Sequence, residues 1–130
     1  MSLPKVQILV VCDMAVTDAA GKMTVYGVFD RLAAREFPAK AQMAVVWQCL
    51  IDEDGAFDVD FFRPDGEKLV ESPPTLEAKL ERGRSARGVM QFARVELPEP
   101  GVYRVVLIYN KQSKLSEYWL EVVRGDERDA

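Results

Sequence analysis

The sequence predicts an all-β protein, a two-sheet antiparallel sandwich of about eight or nine short strands. Three observations carry this reading. Apolar and polar residues alternate with a period of two along several segments. Turn chemistry recurs about every 8–12 residues, the spacing of sandwich strands. Finally, Leu97–Tyr109 sets Pro98, Pro100 and Gly101 directly before a dense run of β-branched and aromatic residues. The prolines fix their own φ and lack N–H donors, so a hard turn must precede the strand that begins at Val102.

Taken from the N-terminus, Lys5–Met14 alternates, with Val6, Ile8, Val10, Cys12 and Met14 on one face and Lys5, Gln7, Leu9, Val11 and Asp13 on the other. Asp18-Ala19-Ala20-Gly21 is a turn, and Lys22–Arg31 returns antiparallel. Pairing Thr17 with Lys22 sets Met14 opposite Val25, Cys12 opposite Gly27 and Val10 opposite Phe29. Gly27 then marks a bulge or the close approach of another side chain. Leu32–Ala41, which contains Phe37-Pro38, crosses between sheets. Met43, Val45, Trp47, Cys49 and Ile51 form the next inward face. Asp52-Glu53-Asp54-Gly55 turns the chain so that Phe57, Val59 and Phe61 return on the same side, with Asp58 and Asp60 facing solvent. Arg63-Pro64-Asp65-Gly66 fits a type I turn. These segments read as a meander.

Lys68–Arg87 admits two readings. Leu76, Ala78 and Leu80 alternate with Glu77, Lys79 and Glu81 as in a strand running over Pro74. The same residues also fit a short helix capped by Thr75 and stopped by Gly83. The strand is favoured because its neighbours are strands and helix propensity is a weak influence. Gly83–Gly88 reads as a loop and Val89–Leu97 as a strand of unfixed phase. The last hairpin joins Val102–Tyr109 to Leu115–Val123 through Asn110–Lys114, with Leu107 opposite Tyr118, Val105 opposite Leu120 and Tyr103 opposite Val122. Arg104 then meets Glu121, and Val106 meets Trp119. A slip by one residue would bury Glu117 and Glu121. Residues 1–124 make the single domain and 125–130 a charged, flexible tail.

Composition narrows the functional classes. A chain of 130 residues is long enough for a real core, and 48% hydrophobic with 29% charged residues is a globular balance. A net charge of −4 opposes nucleic-acid binding, which rests on neutralising phosphates. No apolar run approaches the roughly 20 residues of a membrane span. The opening residues carry no basic segment or cleavage site, so a cytoplasmic location is expected; Met1-Ser2-Leu3 is also compatible with a leftover of cloning. The 2 cysteines, Cys12 and Cys49, sit in apolar runs and read as buried thiols, a cross-strand disulfide being the alternative. With no histidine in the chain, His-based nucleophile pairs and His-ligated zinc are excluded, and neither cofactor nor metal is expected.

Several constellations have a sharper and a plainer meaning. Asp52, Glu53, Asp54, Asp58 and Asp60 invite calcium, but the next acidic turn, Asp65-Gly66-Glu67, falls at the opposite end of the strands, and a structural turn is preferred. Asp13 and Asp30 are diagonal at best, which disfavours a catalytic carboxylate pair. Lys79, Arg82, Arg84 and Arg87 form a basic cluster, for which a solvated loop is preferred over a site for an anionic partner. Arg124-Gly125-Asp126 and Gly21-Lys22-Met23 lack the context that would make them an adhesion motif or a phosphate loop. The strongest candidates for an interface are apolar. Trp119, Val106 and Ile108 share an outward face beside Arg104 and Glu121, and Leu9, Val11, Tyr26 and Val28 share another on the first hairpin. The competing reading covers both faces within the monomer, by loops or by Lys68–Arg87.

Cys12-Asp13, Gly21-Lys22, Tyr26-Gly27-Val28-Phe29-Asp30 and Phe37-Pro38 resemble the opening of a family of uncharacterised small bacterial proteins. Arg63-Pro64-Asp65-Gly66-Glu67, Leu97-Pro98 and Pro100-Gly101-Val102-Tyr103 fit the same family, so the likeness runs from about Ile8 to Val122. The resemblance implies an immunoglobulin-like sandwich and brings no activity or site residues with it. The function expected is therefore binding without catalysis: a protein partner or a second copy held by an outward sheet face. The alternative is a module for carbohydrate or another small molecule, using Trp119 or Trp47 with loop carboxylates.

Overall fold

The structure, a computed structural model, describes residues 3–69 and 75–125. Among these, nine strands run in chain order as β1 (Lys5–Thr17), β2 (Met23–Val28), β3 (Arg31–Ala34), β4 (Ala39–Leu50), β5 (Gly55–Phe62), β6 (Leu76–Ala78), β7 (Ser85–Leu97), β8 (Gly101–Tyr109) and β9 (Ser113–Arg124). They form a sandwich of a four-stranded sheet, β2-β1-β4-β7, and a five-stranded sheet, β3-β9-β8-β5-β6. All pairings are antiparallel except that of β3 with β9. Residues 70–74 and 126–130, which include Pro74 and most of the predicted tail, lie outside the described residues, as do Met1 and Ser2.

The core lies between the sheets, and period-two alternation places it. Met43, Val45, Trp47 and Cys49 of β4, Phe57, Val59 and Phe61 of β5, and Tyr103, Val105, Leu107 and Tyr109 of β8 are all buried there, as their spacing predicts. Trp47, Phe57 and Tyr109 run across it as a chain of tilted rings, with centroids 6.1 and 5.4 Å apart. Gly88 of β7 lies directly under the Trp47 indole, where even a methyl group would overlap the ring.

At the Pro98–Gly101 turn the buried Tyr103 hydroxyl donates to the Glu99 carbonyl at 2.6 Å and accepts the Glu99 N–H at 3.1 Å. This is a tyrosine corner, which fixes how the chain leaves one sheet and enters the other. β7 ends at Leu97 in the four-stranded sheet and β8 begins at Gly101 in the five-stranded one. Tyr103→Phe is expected to lower stability by about 1–3 kcal/mol, because two backbone groups of Glu99 lose their partner while the ring still packs. Chemical denaturation checks this, with the loss appearing in the midpoint and not in the slope.

The connections depart from a meander. β4 and β5 belong to different sheets, so Asp52–Asp54 crosses the sandwich instead of closing a hairpin. The Leu32–Ala41 link does cross, but Arg31–Ala34 first adds β3 in parallel to β9, and the Phe37-Pro38 bond is cis. The ambiguous segment divides between both readings: β6 is a strand of three residues, and a single 3-10 turn, Leu80–Arg82, follows it. Gly83–Gly88 is not a loop throughout, since β7 begins at Ser85.

Both hairpin registers shift from those expected. In the last one Tyr103 faces Leu120, Val105 faces Tyr118 and Arg104 faces Trp119, two residues from the predicted pairing. A tight turn with Asn110 and Lys111 at positive φ replaces the five-residue loop, and a shift at Leu107/Ile108 accommodates Leu115. A displacement of two keeps Tyr103–Leu107 and Tyr118–Val122 on their predicted faces, and the bulge turns Leu115 toward the core. In the first hairpin the slip is one residue: Met14 faces Tyr26 and Ala15 faces Val25. The reason is the turn, where Asp18 N–H bonds the Lys22 carbonyl and Gly21 N–H bonds the Asp18 carbonyl, so 18 and 22 close the loop.

That hairpin does more than edge the sheet. β1 pairs with β4 up to Cys12 and with β2 from Cys12 onward. Beyond this point it carries β2 across the outer surface of β4. Arg87 of β7 reaches the Gly21 carbonyl at the hairpin tip at 2.7 Å, although β4 separates β1 from β7 in the sheet. Under this arm lies a second small core: Cys12, Ala44 and Val46 are fully buried, with Val10, Ala15, Met23, Val25 and Val89 around them. The bulge between Val6 and Ile8 inverts the alternation of β1, sending Leu9 and Val11 into the main core. Cys12 and Cys49 are free and buried, one in each core.

Candidate interaction surfaces

On the outer face of the five-stranded sheet, Phe62, Arg104 and Trp119 form one row across β5, β8 and β9. The Arg104 guanidinium stacks over the Phe62 ring at 5.2 Å. Trp119 is 63% exposed, and its indole N–H donates to Glu117, whose other oxygen takes Lys114. The Lys114 and Trp119 hydrogen bonds hold the Glu117 carboxyl below its usual pKa.

The rest of the predicted patch fares differently. Val106 is only 4% exposed, because Asp60 and Glu117 flank it on the neighbouring strands. It lies opposite Glu117, not Trp119. Ile108 is half-buried. Glu121 pairs with Arg31 at 3.6 Å instead of with Arg104. Asp58 and Asp60 are not solvated: their side chains are 14% exposed, Asp60 pairing with Lys68 at 3.3 Å and Asp58 with Lys111 at 3.7 Å. The Thr75 hydroxyl donates to Asp58 at 2.6 Å. Asp54 accepts the Leu80 N–H at 2.7 Å, so it anchors the 3-10 turn. Among the described residues no cluster of three or more His, Cys, Asp or Glu side chains could hold a metal ion.

The second predicted surface also changes membership. Val11 is fully buried in the main core and Leu9 packs against it, so neither faces solvent. Tyr26 and Val28 do, at 49% and 56%, and Met14 and Val16 join them at 44% and 42%. Met14 lies opposite Tyr26, Val28 opposite Cys12, and Val16 opposite Thr24. Met14, Val16 and Tyr26 therefore share the outward face of the arm, and Val28 is exposed next to them, past the positive-φ Gly27. Met14 and Val16 escaped the sequence reading because an unbroken alternation put Met14 inward; the Asp18–Lys22 loop closure was the signal that would have found them.

Gly27 explains part of the arm's shape. Its φ is 65°, and a Cβ there would overlap the Asp13 carboxylate. Asp13 thus lies against Gly27, the close approach expected there but from Asp13 instead of opposite Cys12. Arg87 of the basic cluster is committed to Gln48 at 2.9 Å and to the hairpin tip. Trp47 is 1% exposed, which removes it as a stacking platform for a ligand. No helix among the described residues is long and apolar enough to cross a membrane.

Two packed sheets joined through a tyrosine corner define an immunoglobulin-like β-sandwich. The chain belongs to a family of unknown function (DUF6941), whose profile matches residues 7–123. The resemblance read from the sequence therefore holds. No curated protein matches. Among solved structures, an alkylpurine DNA glycosylase of Pseudomonas fluorescens bound to DNA with an abasic site analog is similar over 94% of this chain and 30% of its own, at 12% identity and a TM-score of 0.52. An immunoglobulin-like protein of Pseudomonas aeruginosa is similar over 93% and 97% of the respective chains, at 9% identity and a TM-score of 0.42. A β-glucosidase of Listeria innocua in complex with glucose is similar over 95% of this chain and 16% of its own, at 12% identity and 0.49. At such identities the likeness is one of fold alone.

Proposed function

We propose that this chain is a non-enzymatic binding domain that associates with a second copy of itself through the outward face of the β1–β2 arm. One observation carries the reading. Met14, Val16, Tyr26 and Val28, four of the nine strongly exposed large apolar side chains among the described residues, lie together on this hairpin. Single exposed hydrophobes are ordinary on a soluble surface, whereas a contiguous set is the usual mark of a contact. The Trp119 row offers a less apolar surface, with Arg104 stacked on Phe62 and Glu117 already bonded to Lys114 and Trp119.

Sedimentation equilibrium tests the proposal. The wild-type chain is expected to show twice its 14.6 kDa mass at high micromolar concentration, and Tyr26→Ser with Val28→Ser to return the monomer. A monomer at every concentration would overturn it. The ligand-binding alternative is separated in the same samples by tryptophan emission, since Trp119 is exposed and Trp47 buried. Sugars and Ca²⁺ are expected to leave the emission unchanged, and a saturable shift lost in Trp119→Phe would favour the ligand module instead.

A further inference from the structure

We infer that the second copy docks edge to edge, with β2 of one chain pairing antiparallel with β2 of the other. This rests on the self-association reading and shifts its contact from the outward face of the arm to the adjoining free edge of β2. β2 is an edge strand, hydrogen-bonded to β1 alone. Amides along a strand point alternately to either side, so half of the β2 amides face outward from the sheet. Edges of this kind are normally guarded by charge, proline, a bulge or brevity.

The other edges among the described residues are guarded in these ways. β7 carries Arg87, Arg94 and Glu96, and its register shifts opposite Ala41/Met43. β3 has four residues and begins with Arg31. β6 has three, with Glu77 at its centre. β2 reads Met-Thr-Val-Tyr-Gly-Val, with no charged residue and no proline. Its one irregularity is Gly27, near its end.

Charge fits the antiparallel sense. Lys22 immediately precedes β2 and Asp30 follows it, and both are exposed. A two-fold axis at Tyr26 places Lys22 of each chain beside Asp30 of its partner. It also sets Tyr26 against Tyr26 of the second copy, and Thr24 against Val28, so each apolar side chain covers a flank of another. The two four-stranded sheets then become one continuous sheet, and the arm faces of both copies lie on the same side of it.

Hydrogen–deuterium exchange of the full chain, measured above and below the concentration at which it associates, tests the pairing. Association is expected to slow the outward β2 amides several-fold and to leave the β7 edge unchanged. Tyr26→Lys, which sets two ammonium groups across the axis, is expected to abolish association without unfolding the exposed site. Lys22→Glu should weaken association several-fold, and adding Asp30→Lys should restore it. A dimer whose β2 amides exchange as in the monomer, or a charge swap that fails to restore binding, would overturn edge pairing and leave self-association by the arm face standing. A wild-type chain that never associates would remove both.

Discussion

Trp47→Ala is expected to lower the stability of this domain by about 3–5 kcal/mol, the range for deleting a large buried aromatic ring. Trp47 is fully buried, stacks on Phe57, and spans the space that Gly88 leaves open on β7. The partner experiment is more specific. Gly88→Ala should cost about 1–3 kcal/mol by overpacking, because the added methyl meets an indole that has no room to move. In a Trp47→Phe background the same methyl should cost less by at least ~0.5 kcal/mol, since the smaller ring vacates the overlapping volume. Denaturant midpoints for the wild type, both single variants and the double variant close the cycle. Strict additivity would show that the methyl and the ring never meet.

The second large effect is alkaline. Burial pushes the Cys49 thiol from its ordinary 9.0 up to about 11. Cys12 is raised too, first by burial and then by the neighbouring Asp13 charge. Burial also raises the phenols of Tyr103, Tyr109 and Tyr118. Each group keeps its proton in the folded chain at a pH where the unfolded chain has lost it. The stabilisation from Cys49 is therefore complete below pH 9.0 and lost as pH rises through about 11, a fall of about 2–3 kcal/mol from that thiol alone. The tyrosines and Cys12 deepen the fall in the same direction. Stability measured from pH 8 upward by denaturant titration should decline, and Cys49→Ala or Cys49→Val should flatten the first part of the decline. With no histidine in the chain, no imidazole titration adds to the profile near neutrality.

Much of the sandwich was legible because its central strands alternate without ambiguity. In β4 and β5 the inward residues are apolar and most of the outward neighbours are small or polar, so phase follows from composition. The last hairpin kept its faces despite a register error, since two residues is a full period of the pleat. β1 was harder: Val6 through Cys12 is apolar at nearly every position, alternation carries no information there, and a bulge decides the faces. β3 was missed because Arg-Leu-Ala-Ala has little strand preference and exists only by pairing with β9. The start of β7 was hidden by Gly88, which reads as a loop residue until Trp47 is placed above it. In the candidate surfaces, Tyr26, Val28 and Trp119 could be found from local pattern, whereas the burial of Val11 and Val106 depended on neighbours distant in sequence.

The crossing of β1 over β4 makes the four-stranded sheet its own shelter. Ala44 and Val46 stay dry only while the β1–β2 arm remains folded back above them. Without that arm the chain would not become a smaller sandwich; it would expose an apolar outer wall on the four-stranded sheet.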